Sequence, residues 1–271
     1  MTVRRTPGKT LPPHPLLEYE NVTVINGERT ILRSLSVAIS EEENVAILGP
    51  NGAGKSSFIK TITRELYPQC GDNVVFRIHG EEVWDVFELR STIGVVSNDL
   101  QQAFAREITG YEVILSGFFS GIGLFNQEVT PAMHRKAAGI LTFLGIGHLG
   151  DRPMSSLSSG EARRFLMGRA LVHHPRTLIL DEPTNSLDLH ALHTFRKTIR
   201  KIVRTGTGII LITHNLHDIM PEISRVILMK DGRFCADGPK REILTDKKIG
   251  DLFNVPVHVK EEAGYFYATG Y

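Results

Sequence analysis

The run Gly49-Pro50-Asn51-Gly52-Ala53-Gly54-Lys55-Ser56, continued by Ser57, carries the sharpest chemical signal in the chain. It fits G-x-x-x-x-G-K-[ST], a spacing in which glycines let backbone N–H groups close around a polyphosphate. The lysine then meets the β- and γ-phosphates as a point charge, and the serine hydroxyl is a ligand for Mg²⁺. A helix starting at Lys55 adds the positive end of its dipole to the same place.

A second constellation is Thr177-Leu178-Ile179-Leu180-Asp181-Glu182. An apolar strand ending in two carboxylates delivers both to the C-terminal edge of a sheet, where α/β proteins bind ligands. Asp181 suits Mg²⁺, directly or through water, and Glu182 suits the polarisation of an attacking water. Alone, such a strand end is a solvated surface feature; the glycine loop in the same chain gives it a use. The third is Leu157-Ser158-Ser159-Gly160-Glu161, directly ahead of a helical stretch. Serine there is ordinarily a simple N-cap. A helix start rich in serine and glycine is also an anion site. Two anion sites on one chain make sense if two chains pair head to tail and each closes over the other's nucleotide.

These motifs need strands to end beside one another. The apolar run Asn44–Leu48 precedes the glycine loop, and Lys55–Leu66 after it reads as a helix. Ile93–Val96, Thr177–Leu180 and Gly208–Ile212 read as buried strands, with helices over Gly160–His173 and Leu189–Val203. Strands alternating with helices predict a parallel sheet covered on both faces. Asn26-Gly27 within Leu16–Ile39, and Asp231-Gly232 between Val226–Lys230 and Arg233–Ala236, predict two antiparallel hairpins. Residues 101–152 lack strand runs and read as a helical insertion.

In this order the three motifs resemble those of the ATP-binding-cassette (ABC) ATPases, over about Leu16 to Gly238. Gly49–Ser56 resembles the family's Walker A, Leu178–Asp181 with Glu182 its Walker B and catalytic glutamate, and Leu157–Glu161 its signature LSGGQ. Ser186-Leu187-Asp188 resembles the D-loop and His214 the switch histidine. The resemblance implies an α/β fold: a P-loop NTPase core with a mostly parallel sheet, an antiparallel β flank and a helical insertion. It implies ATP and Mg²⁺ as cofactors, hydrolysis between two cassettes, and nucleotide contacts from Gly49 to Ser57, Ser158, Ser159, Gly160 and Asp188. Ser56 and Asp181 would serve the metal, and Glu182, His214 and Asn98 the catalysis. Ser159 and Glu161 depart from the signature's glycine and glutamine. Asn98 stands at the family's usual glutamine, with Gln101 and Gln102 close by. Asn26 stands where an aromatic residue commonly stacks on adenine, leaving Tyr19 as a candidate.

The implied partners are a second copy or a homologous cassette, and the membrane-spanning subunits of a transporter. Residues 112–125 resemble the same region of iron-siderophore and cobalamin importer ATPases, which favours an importer. The alternative is a soluble ABC ATPase of repair, translation or regulation, but those often carry two cassettes and this chain carries one. The expected division is a tail at 1–15, an ATP-binding core at 16–100 and 153–240, the helical subdomain at 101–152, and a C-terminal segment at 241–271.

Composition agrees with this and excludes other classes. The chain has 271 residues, 41% hydrophobic and 23% charged, with a formal net charge of +1. That balance removes the electrostatic case for a nucleic-acid protein. One basic stripe, Arg196, Lys197, Arg200, Lys201 and Arg204, reads as a solvated face or as a contact for nucleic acid or lipid headgroups. Cys70 and Cys235 are too few for a disulfide framework and read as buried or free thiols of a reducing compartment. The N-terminus lacks the apolar core of a secretory signal. Thr109–Phe125 is the most apolar stretch, yet it is too short to span a bilayer and holds Glu112 and four glycines. The resemblance to transporter ATPases implies a cytoplasmic location, held at the inner membrane face through a membrane subunit. Phe118, Phe119 and Phe125 in that stretch are read as core or as a docking surface for a partner helix.

Overall fold

The strand before the glycine loop, β3 (Asn44–Leu48), lies inside a six-stranded sheet and is buried on both faces. In a computed structural model, which describes residues 15–71, 73–104, 107–124 and 127–271, twenty elements can be followed. The expected tail, up to residue 14, and Phe125 lie outside the described residues. β1 (Leu17–Asn26) and β2 (Arg29–Ile39) form the expected hairpin, and β4 (Val75–Ile78) adds to the free edge of β1. Between them come β3 and α1 (Lys55–Ile62); after them come α2 (Val86–Thr92) and β5 (Ile93–Val96).

The helical insertion holds α3 (Asn98–Ala103), α4 (Gly110–Ser116) and α5 (Pro131–Leu144), and leads into α6 (Ser159–Leu171). Then follow β6 (Thr177–Asp181), α7 (Leu189–Val203), β7 (Gly208–Thr213), β8 (Arg225–Lys230) and β9 (Arg233–Pro239). The large sheet has the order β5-β6-β7-β3-β8-β9, parallel except for the β8–β9 hairpin. Crossovers through α6 and α7 place helices on it, as parallel pairing requires.

Alternation along these strands sorts the core into two layers. Val45, Ile47, Ile179, Ile210, Ile212 and Ile227 pack with Phe58 and Ile62 of α1 and with the antiparallel sheet. Ala46, Leu48, Leu178, Leu180, Leu211 and Leu228 pack with Phe165 of α6 and Ile199 of α7. Each fully buried Leu or Ile contributes roughly 1.5–3 kcal/mol, so the sheet is a rigid platform for whatever sits at its edge.

The helix after the glycine loop stops at Ile62, four residues short of the sequence expectation. Arg64 turns to a φ of +60° and stacks its guanidinium 4.0 Å from the Phe76 ring centroid, while the Glu65 and Leu66 N–H groups both donate to Lys60 O. Two further expectations change. The basic stripe is largely engaged within the chain: Arg200 pairs with Glu222 at 2.8 Å, Arg196 lies 4.4 Å over Tyr265, and Lys201 donates to Phe143 O. Cys70 and Cys235 are free thiols, as one of the two readings has it, and both are exposed, so the buried alternative falls away.

The C-terminal segment forms α8 (Lys240–Ile243), α9 (Asp246–Phe253) and a hairpin of β10 (His258–Glu262) with β11 (Tyr265–Thr269). Its β11 packs on the 3-10 turn Leu216–Asp218, with the Tyr267 ring 5.0 Å from that of His217. Among the described residues no helix is long and apolar enough to cross a membrane.

Candidate active site

Parallel pairing brings the ends of β3, β6 and β7 to one edge. Leu48 registers with Thr213 and Asp181 with Ile212, so Gly49, Glu182 and His214 emerge side by side. The loop from Gly49 to Gly54 then folds over this edge. A Cβ on Gly49 would sit 2.1 Å from Met229 O, so only glycine fits there. Gly54 caps α1 at a φ of +104°, a conformation that costs an L side chain strain. It offers no side-chain cap, and the first turn of α1 holds no acidic residue. The amide donors of this helix start are thus left to a ligand, with the dipole favouring an anion.

Lys55 is 5% exposed, and its Nζ donates to Gly49 O at 2.9 Å and Pro50 O at 3.0 Å. It also lies 3.4 Å from Glu182 Oε1. The ammonium is therefore folded back onto its own loop, at the position where a polyphosphate would receive it. Glu182 is the centre of the cluster: Asn185 Nδ2 donates to its Oε2 at 2.7 Å, and His214 Nδ1 lies 3.2 Å from its Oε1. His214 Nδ1 has no hydrogen-bond partner among the described residues, so its approach to Glu182 is one of proximity. Glu182 has a φ of +46°, and its N–H donates to Ile212 O at 2.8 Å. Such backbone costs on the order of 1–3 kcal/mol and gathers at functional sites.

The two carboxylates are tuned apart. Burial, then the Glu182 charge, pushes Asp181 up to about 6, against the pull of Lys55. Burial also acts to raise Glu182, but His214, Asn185 and Lys55 outweigh it and hold that carboxyl below its usual range. Asp181 is thus a buried carboxylate short of positive charge, and Glu182 an ionised one. Asp181 and Ser56 line one cleft of about 340 Å³, and an oxygen pair of carboxylate and hydroxyl fits a hard cation such as Mg²⁺. The donor set and the glycine cradle thus fit the expected Mg·ATP.

The remaining expected residues fall in two groups. Asn98 begins α3 beyond β5, and its Oδ1 accepts from Arg163 of α6; Gln101 Oε1 accepts from the same guanidinium at 3.1 Å. Ser158 caps α6 and Asp188 caps α7, its Oδ1 accepting from Ala191 N at 2.7 Å. Among the described residues no hydrogen bond or ion pair joins Ser158, Ser159 or Gly160 to the glycine loop or to Glu182. Tyr19 is corrected: it is 1% exposed and bonds Thr61, so no adenine can stack on it. Sequence reasoning missed Asn185 and Arg163. Asn185 was within reach, three residues after Glu182 in a turn; Arg163 gave no signal, since its acceptors come from distant segments.

The ABC transporter family profile matches residues 32–185. The chain belongs to the ABC transporter ATP-binding proteins. It is 33% identical over 246 residues to the uncharacterized ABC transporter ATP-binding protein YlmA of Bacillus subtilis (strain 168), covering 90% of this chain and 93% of that one. It is 31% identical over 244 residues to the hemin import ATP-binding protein HmuV of Aliivibrio fischeri, covering 88% and 90%. Among solved structures, the ADP conformation of MJ1267, an ATP-binding cassette of an ABC transporter, superposes with a TM-score of 0.76 at 26% identity, covering 89% of this chain and 98% of that one. The ABC-cassette fold expected from the three motifs is therefore present, and the chain is an ABC-type ATPase, the ATP-binding subunit of a transporter.

Proposed function

We propose that this chain binds Mg·ATP between two head-to-tail cassettes, hydrolyses it there, and so powers import through membrane-spanning subunits. The observation that carries the reading is the Lys55–Glu182–Asn185–His214 cluster at the sheet edge, beside a helix start that no side chain caps. Lys55 exchanges its loop carbonyls for the β- and γ-phosphates, and the amides of the glycine loop and α1 hold the same oxygens. Ser56 and Asp181 would hold Mg²⁺, which when bound would offset the negative charge that develops on the phosphates. Glu182, freed from Lys55 once phosphate takes the ammonium, orients and polarises the attacking water. Asn185 and His214 keep that carboxylate aimed, and His214 faces the terminal phosphate. Ser158, Ser159 and Gly160, with Asp188, act on the partner's nucleotide.

Import is supported by the hemin import proteins among the relatives. Docking of a membrane subunit is supported by the cleft that holds Ser56 and Asp181, which extends to Gly117, Ser120 and Ile122 of the insertion. A membrane subunit seated there touches the metal ligands' own groove. Phe118 and Phe119 are each half-buried; Phe118 packs on the core and edge-on to His173, so part of each ring stays open to a partner. Such docking places the chain at the cytoplasmic face of the membrane.

The test is Mg²⁺-dependent ATPase activity of the purified chain beside Glu182→Gln. That change keeps the shape and removes the charge, so ATP still binds while turnover falls by roughly 10²–10⁴. The variant also accumulates as an ATP-dependent dimer on size exclusion. Hydrolysis by Glu182→Gln near the wild-type rate moves the catalytic role elsewhere.

A further inference from the structure

Arg163 stands on the second turn of α6 and is 3% exposed. Burial lowers its pKa, and no charged partner among the described residues offsets this. A buried guanidinium served only by neutral acceptors is costly, and a smaller polar or apolar side chain would serve packing better. What it holds gives the reason. Its Nη2 donates to Asn98 Oδ1 and to Gln101 Oε1 at 3.1 Å, and its Nε donates to the same Oε1 at 3.3 Å. Its Nη1 donates to Pro183 O and to Asn185 O, the latter at 3.4 Å.

One planar fork therefore joins three segments: the helix that Ser158 caps, the start of α3 with Asn98, and the turn that follows Glu182. Asn185, gripped through its carbonyl, gives its side-chain amide to Glu182 Oε2. Glu182 sits on strained backbone that persists only while its surroundings fix it.

We propose that Arg163 is a positioning residue for hydrolysis, fixing the Glu182–Asn185 turn and Asn98 in the frame of the α6 helix. It touches neither nucleotide nor water, and it acts through the aim of the Glu182 carboxylate. It also ties that aim to α6, whose first turn faces the partner's nucleotide. This rests on the hydrolytic role of Glu182 proposed above. A lysine in its place keeps the charge but cannot span the two sets of acceptors, on α3 and in the turn after Glu182, at once.

Steady-state ATPase kinetics of the full chain, with ATP as the probe, test it through Arg163→Gln and Arg163→Lys. Each is made alone and in the Glu182→Gln background. Both single variants are expected to lower kcat about tenfold or more while KM for ATP stays within roughly threefold, as for misplacement of a catalytic group. In the Glu182→Gln background the further loss is expected to shrink below about twofold, because the group being aimed is already disabled. Should Arg163→Gln fail to fold, as judged by circular dichroism, the folded Arg163→Lys decides on the same criteria. Retention of kcat within about twofold, a rise in KM alone, or an equal loss in both backgrounds overturns the proposal. Wild-type hydrolysis that Glu182→Gln leaves intact is a separate result: it overturns the role given to Glu182 and this inference with it.

Discussion

α1 and α6 both begin in runs of serine and glycine, and the fold finishes the two helix starts in opposite ways. At α1 the cap is Gly54, with no side chain to offer and no acid in the first turn. At α6 the cap is Ser158, closed by a reciprocal box: Glu161 Oε2 accepts from Ser158 N at 2.9 Å and Ser158 Oγ at 2.8 Å, while Glu161 N donates to Ser158 Oγ at 3.3 Å. An open helix start awaits an anion, whereas a boxed one has already satisfied part of its donors with its own carboxylate. Similar residues thus leave the donors of one helix start open and occupy those of the other with its own Glu161 carboxylate, so the contact proposed for the Ser158 turn is the weaker of the two.

The comparison can be broken most forcefully at α1. Lys55→Ala removes charge-assisted contacts to phosphate, so ATP affinity is expected to fall about 10²-fold. The ligand-free melting temperature is expected to fall by far less than that loss of affinity, because only two loop carbonyls and the partly exposed Glu182 carboxylate lose a partner. Equilibrium binding of labelled ATP checks the first and calorimetry the second; unchanged affinity would give the cradle to other groups.

At α6 the expected effect of the cap is on the fold. Ser158→Ala deletes it and is expected to destabilise the chain by about 1 kcal/mol in urea titration. ATP binding by the isolated cassette is expected to be unaffected. A loss of ATP affinity as large as that of Lys55→Ala would erase the distinction between the two starts.

The smallest effects come from Glu161. The backbone and side chain of Ser158 hold its carboxyl below the usual range, so this group adds stability above its unfolded pKa near 4.5 and loses it as pH falls through the lower folded value. The urea midpoint of wild type is therefore expected to exceed that of Glu161→Gln slightly at pH 7, with the gap closing below pH 4. At neutral pH the same variant removes a negative charge from the helix start proposed to meet the partner's nucleotide, and ATP-dependent dimerisation is expected to tighten a few-fold. Weaker dimerisation in Glu161→Gln would mean that the carboxylate assists the contact.

How much of this was legible in the sequence follows from how local each determinant is. β3, the glycine loop and the start of α1 are contiguous, and their apolar run and turn chemistry announce them. The end of α1 is decided by Arg64 reaching Phe76 on another sheet, which no window of the helix contains. Tyr19 lies on the inward side of β1, in step with Leu17, an alternation the sequence carries and which already turns the ring away from any adenine. β4 has four residues and is completed by pairing with β1, and the β10–β11 hairpin finds its seat on the turn after His214. Within the site, Gly49 to Ser56, Asp181, Glu182 and His214 come together as their strand ends foretold. Asn98 does not point freely toward a metal, because Arg163 claims its carbonyl oxygen.

The central claim is that the open start of α1 and the boxed start of α6 act on one nucleotide across two chains. Mixing Ser158→Arg chains with Lys55→Ala chains tests it most directly. Each homodimer lacks one half of both composite sites and is expected to be inactive. A mixed dimer keeps one complete site, so an equal mixture is expected to recover up to about a quarter of the wild-type ATPase rate, half the dimers being mixed and each holding one site of two. No recovery, in a sample where mixed dimers are demonstrated by differential tagging, would contradict the account and place the Ser158 turn on its own chain's nucleotide or on none.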